Sequence, residues 1–88
     1  MKQIQPINIW VNGEQKQGTQ FSVTGIYDNY ESSATNLWQI YDIDSQSIAQ
    51  GNLTIDGQDY IDWGNQPAMA INTWIYNWVA DKLNLTII

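Results

Sequence analysis

The chain contains no cysteine, no histidine and no arginine. Without Cys or His there are no disulfides, thiol nucleophiles, zinc or cluster sites built on those ligands, or His-dependent triads. The expectation is therefore a protein that is not an enzyme and carries no cofactor. Three lysines stand against nine acidic residues, for a net charge of -6. That balance repels phosphate backbones instead of releasing their counterions, so nucleic acid is not an expected partner. Long apolar runs are also missing. The richest stretch, Ala68 to Ala80, is broken by Asn72, Thr73 and Asn77, and it is shorter than the roughly 20 residues a membrane-spanning helix needs. Met1-Lys2-Gln3-Ile4-Gln5-Pro6 reads as neither a signal peptide nor an anchor, and a non-membrane protein without export is expected. In that setting the Asn52-Leu53-Thr54 and Asn84-Leu85-Thr86 triplets are coincidental glycosylation matches.

What the sequence does have is aromatic and branched apolar weight: five Trp, five Tyr, one Phe and thirteen Ile in 88 residues. A chain this rich in them folds, and at this length it folds as one domain, residues 1–88. Ile7, Ile9 and Val11 alternate with Asn8 and Trp10, the period of a strand, and Asn12-Gly13 supplies the positive φ values of a tight hairpin turn. The same reasoning places strands at about 3–11, 15–27, 35–43 and 48–55, with Gly18 or Gly25 marking a bulge. The short polar connections between them favour sequential antiparallel pairing. Gln58 to Trp63 allows a single helical turn. Asn65 and Pro67 then suit the start of a helix over about 66–83, with Ala68, Ile71, Ile75, Trp78 and Val79 at helical spacing and Asn84 as its cap. Leu85 to Ile88 returns to extended character. The expected fold class is α+β: an antiparallel β-meander of about four strands with one C-terminal amphipathic helix packed on one face.

Strand parity divides the apolar residues into two sets. One holds Ile7, Ile9, Val11, Phe21, Val23, Tyr27, Leu37, Tyr41, Ile43, Leu53 and Ile55, a core beneath the helix. The other holds Ile4, Trp10, Ile26, Trp38, Ile40 and Ile48, for which no second helix is expected. An uncovered apolar face of this kind marks an interaction surface. Trp10, Ile26, Trp38, Ile40 and Ile48, joined by Leu85 and Ile87 of a tail suited to pairing with a neighbour's sheet edge, are the expected interface residues. The alternative is that the strands curl or split so that both sets share one interior.

The carboxylates offer little chemistry. Asp56, Asp59 and Asp62 are spaced to share one side of a turn, but no apolar pocket is evident that would raise one of their pKa values for acid catalysis. Asp42-x-Asp44-x-Gln46 imitates the start of a calcium loop but lacks its turn glycine and has Leu53 where a bidentate Glu belongs. Caps and turns account for these residues. A carbohydrate platform is the more serious second function, with Trp10, Tyr30, Trp38 and Trp63 as stacking residues among abundant Asn, Gln and Asp, and a host glycan as partner. Acidic mimicry of nucleic acid fits the net charge but not a charged fraction of 14%.

The segments Ile7-Asn8-Ile9-Trp10-Val11-Asn12-Gly13, Gly51-Asn52-Leu53-Thr54-Ile55-Asp56-Gly57-Gln58-Asp59-Tyr60-Ile61-Asp62-Trp63 and Tyr76-Asn77-Trp78-Val79-Ala80-Asp81-Lys82-Leu83-Asn84-Leu85 resemble the small structural proteins of tailed bacteriophages. The resemblance is one of length, composition and strand-strand-helix phrasing over most of the chain, and no functional residue carries over with it. It implies a virion component at the tail, baseplate, neck or capsid surface, made in the bacterial cytoplasm. Its partners would be other virion proteins or copies of itself.

Overall fold

The computed structural model describes all 88 residues, Met1–Ile88. Four strands, β1 (Lys2–Val11), β2 (Glu14–Asp28), β3 (Ser33–Tyr41) and β4 (Ser47–Asp56), precede two helices, α1 (Gly57–Gly64) and α2 (Ile71–Leu83). The strands form one antiparallel sheet in the order β1-β2-β3-β4. The turn chemistry explains this order. Asn12 and Gly13 both take positive φ, 50° and 88°, as a tight β1–β2 hairpin requires. Between β3 and β4, the Asp42 carboxylate accepts the Asp44 and Gln46 amides, each at 2.9 Å, while Ser45 turns left-handed. That carboxylate is committed to the turn, and the chain has no cluster of three His, Cys, Asp or Glu residues able to hold a metal ion.

Two helices stand where one was expected. The chain folds helically as soon as β4 ends, and it leaves the helix at Gly64, where the Asn65 amide closes on the Ile61 carbonyl at 3.1 Å. Pro67 starts a turn, closed by Ala70 N–H to the Pro67 carbonyl at 2.8 Å, and α2 begins only at Ile71. Asn65 therefore ends α1 and does not open α2. Ala68 and Met69, assigned by periodicity to a helix, lie exposed in the connection. Helix α2 ends on Asn84 in the left-handed region (φ 57°), with Leu85 N–H returning to the Ala80 carbonyl at 2.8 Å. No helix is long and apolar enough to cross a membrane.

The core corrects the expected division of the strands. Ile4, Phe21, Ile40, Val79, Ala80 and Leu85 form the main cluster, and Ala34, Ile55 and Ile75 a smaller one. In β3 it is the even positions Ala34, Trp38 and Ile40 that pack with the helices, because Phe21 stands opposite Ile40 and Val23 opposite Trp38. Both parities of β3 carry apolar side chains, so alternation alone does not choose between them. Ile4 joins the same cluster that Ile7 and Ile9 pack against, although their parities differ, because the β1–β2 register shifts between Gln3 and Ile7. Pro6, which has no N–H to give the ladder, lies within that irregularity. A second shift, between Ile40 and Tyr41, lets Ile48 pack partly buried against the main cluster.

The sheet surface opposite the helices is consequently mostly polar; Leu37, expected in the core, lies half-buried on it, and Ile43, also expected there, is exposed beyond β3. Ser22, Gln39 and Tyr41 form a hydrogen-bonded chain that continues to Gln50: Ser22 Oγ to Tyr41 Oη 3.1 Å, Tyr41 Oη to Gln39 Oε1 2.7 Å, and Gln39 Nε2 to Gln50 Oε1 3.1 Å. Thr35 and Thr54 pair across β3 and β4 at 3.2 Å. An uncovered apolar face is absent here, because β3 turns its indole inward and its amide and phenol outward.

The tail also finds its partner within the chain. Gln5 N–H donates to the Thr86 carbonyl at 2.8 Å, Ile88 N–H to the Gln3 carbonyl at 3.1 Å, and Ile4 bridges Ile87. Leu85 is buried beside Ile4 and Val79. The end of the chain thus caps the outer edge of its own β1.

Candidate functional site

Two shallow concavities of similar size mark the surface, one beside Pro6 and Ile88 and the other where β2, β3 and α1 meet. Asn29 organises the β2–β3 turn, its Oδ1 accepting the amides of Glu31, Ser32 and Ser33 at 2.9, 2.9 and 3.1 Å. Asp28 Oδ1 accepts the Tyr30 amide at 2.7 Å and the Tyr60 hydroxyl at 2.6 Å. Tyr30 takes φ 61°, and its side chain projects 87% exposed. The β2–β3 register shifts between Gly25 and Tyr27, so Ile26 and Tyr27 both remain exposed instead of alternating in and out. On the far side, Trp63 of α1 donates its indole N–H to the Ile71 carbonyl at 3.2 Å and meets Tyr60 edge-on, 6.1 Å between centroids.

Together these residues enclose an open cleft of about 270 Å³ walled by Ile26, Tyr27, Asp28, Tyr30, Asn36 and Trp63. Gly25 and Ala34 complete its lining without long side chains. Asn36 stands opposite Gly25, and even an added Cβ at Gly25 would approach no nearer than 3.9 Å to Asn36 Oδ1. Asn36 is 97% buried (3% exposed), yet its Nδ2 has no hydrogen-bond partner in the protein. A buried amide left this way costs about 1–3 kcal/mol, and native structures keep few of them.

Tyr60 ties α1 to this site. Its hydrogen bond to Asp28, loss of water around the phenol and the negative charge of Asp28 push its pKa up to about 12. The rest of α1 is pinned by Trp78 Nε1, which donates to Asp59 Oδ2 at 3.0 Å, with Lys82 Nζ 5.5 Å from the centroid of the same indole. Asp62 accepts from Gln58 Nε2 at 2.8 Å, and Asp56 is exposed at the junction of β4 and α1.

Of the expected stacking residues, the structure brings Tyr30 and Trp63 together in the cleft and leaves Trp10 and Trp38 outside it. Trp10 is 70% exposed on β1, close to the β1–β2 turn, whereas Trp38 packs partly buried on the main cluster. Of the expected interface residues, Ile40 and Leu85 are core, and Ile48 and Ile87 are half-buried against it, so none of these four forms a free contact surface. Trp10 and Ile26 are exposed, Ile26 as part of the cleft. Sequence reasoning passed over Asn36 and Asp28 as site residues, offered Gly25 only as a bulge marker and placed Tyr27 in the core, whereas Tyr27 is exposed in the cleft wall. No sequence signal marked Asn36, because alternation alone does not say which side of β3 faces inward.

A second feature is the outer edge of β4. It ends the sheet with no strand hydrogen-bonded to its outer edge, and from Ser47 to Ile55 it carries no charge and no proline. Edge strands are ordinarily blunted by such residues. The opposite edge has Pro6 and the tail. Comparison with known proteins finds no family model, no curated protein and no solved structure that matches this chain.

Proposed function

We propose that this protein is a non-enzymatic structural or assembly component of a tailed-phage particle, at the tail, baseplate, neck or capsid surface, and that it joins copies of itself edge to edge along β4. The phrasing shared with small virion proteins supports the setting. The carrying observation is the contrast between the two edges: β1 is interrupted by proline and covered by Gln3–Gln5 pairing with the tail, while β4 presents nine residues, Ser47 to Ile55, without a charge.

An antiparallel edge pairs with its own copy about a two-fold axis, each unpaired N–H facing a carbonyl. With a net charge of -6, copies repel over most of their surface, and an uncharged strand is where they can approach. The outward polar side chains Gln50, Asn52 and Thr54 then continue the uncharged face from one copy to the next.

Sedimentation velocity over a concentration series tests the reading. Reversible association is expected for the wild type and its loss for Asn52→Lys, whose position is exposed, with the melting temperature unchanged. A wild type that stays monomeric throughout, or association indifferent to Asn52→Lys, would refute edge pairing.

A further inference from the structure

We infer that the cleft between the β2–β3 turn and α1 is a binding site for one ring of a neutral sugar, with Asn36 and Asp28 taking the hydroxyls and Tyr30 and Trp63 the ring faces. Three observations lead there. Asn36 lines the cleft with its Nδ2 buried behind it, and the atom it turns toward Gly25 is Oδ1, an acceptor. A ligand that meets it must bring a donor. Asp28, also in the wall, uses Oδ1 for both of its protein hydrogen bonds, leaving Oδ2 to receive a donor. Each hydroxyl group has one hydrogen to donate, so a ligand with adjacent hydroxyls satisfies both residues at once.

The remaining walls are Ile26, Tyr27, Tyr30 and Trp63, rings and apolar carbon that suit the C–H faces of a pyranose. Tyr30 is 87% exposed and makes no side-chain hydrogen bond of its own, so its position is not explained by packing. The volume of about 270 Å³ lies just below the usual range for small-molecule sites, about 300 Å³ upward, which suits one ring and not an extended chain.

Other ligand classes fit less well. No Lys lines the cleft and a carboxylate does, which disfavours phosphate or any other anion. A quaternary ammonium suits three aromatic rings beside an acid, but its cationic group has no N–H to give Asn36 Oδ1 or Asp28 Oδ2. A metal ion would find one carboxylate already holding two protons' worth of hydrogen bonds.

The test is a ¹H–¹⁵N NMR titration of the full chain with the methyl glycosides of glucose, galactose, mannose and N-acetylglucosamine, with choline as the cationic control. For a shallow one-ring site the expected dissociation constant is on the order of 1 mM. At least one glycoside should shift the Asn36 side-chain amide and the Trp63 indole N–H saturably. Asn36→Leu should weaken that binding at least about tenfold while leaving the melting temperature equal or higher, because it removes an unpaired buried amide. Tyr30→Ala should weaken binding without changing the melting temperature. The inference is overturned if no glycoside gives a saturable shift up to roughly 50 mM, well above the expected constant, if choline alone shifts these signals, or if Asn36→Leu binds as the wild type does. Asn52→Lys on the β4 edge should leave sugar binding intact, so this outcome and that of self-association are read separately.

Discussion

The indole of Trp38 packs against Gly51, its partner on the neighbouring strand, so closely that a Cβ at position 51 would come within 2.6 Å of Trp38 Cζ2. Gly51 has no special backbone angle that demands glycine; it is the space above it that the indole needs. The pair holds a tryptophan on the helix side of β3 that strand alternation assigns to the other.

Gly51→Val should therefore cost about 1–3 kcal/mol, as overpacking does. Equilibrium denaturation would read the loss, and near-UV circular dichroism the disturbed indole. Gly25→Ala, whose Cβ meets nothing closer than 3.9 Å, serves as a control and should be milder. Equal stability for Gly51→Val and the wild type would mean the indole sits elsewhere.

Leu85→Ala is expected to destabilise the monomer by about 2–5 kcal/mol, the usual cost of truncating a buried leucine. Only 11 of the 88 residues are buried, so few others can compensate. Removing Ile87 and Ile88 should in addition open the β1 edge and raise aggregation at the same degree of folding, visible by light scattering. A tail whose loss left the melting temperature unchanged would contradict its place in the core.

Asn84→Gly should be neutral to slightly stabilising and Asn84→Ala should cost about 1 kcal/mol, because position 84 is left-handed at φ 57°, a region that glycine adopts freely and Asn enters more readily than Ala through its short polar side chain. Thermal melts of the two variants would separate this backbone effect from any loss of the amide group, which both remove.

Tyr60 makes stability pH-dependent at the alkaline end. Its folded pKa, about 12, exceeds the ordinary 10.0, so the fold favours the neutral phenol. The resulting stabilisation is complete below 10.0 and lost as pH rises from there towards 12. Ultraviolet titration should show one tyrosine ionising well after the others. Tyr60→Phe should remove both that late step and the extra alkaline loss, and Asp28→Asn should bring the late ionisation earlier.

Much of the architecture was legible because it is written in local chemistry. Asn12-Gly13 can hardly be other than a hairpin turn, and the polar connections Asp28–Ser33 and Asp42–Gln46 bond their own backbone, so a meander follows from short range alone. The helix boundaries were less legible. Ala68 and Ile71 match helical spacing, but Pro67 and the closure of α1 on Asn65 take the intervening residues into a turn. The cleft was half visible: Tyr30 and Trp63 are 33 positions apart and each looks like a surface aromatic, while only the Tyr60–Asp28 bond puts them in one place.

By itself, then, the sequence determined the chemical class of the molecule: acidic, free of Cys and His, and built of strands followed by helix, since composition and turn residues act within a few positions along the chain. Which side of β3 faces inward, whether the tail pairs at home, and that a buried Asn36 lacks a partner were settled only in three dimensions. Each depends on register between strands distant in sequence. A single irregularity, at Pro6 or after Gly25, exchanges the two sides of a strand without changing any local preference.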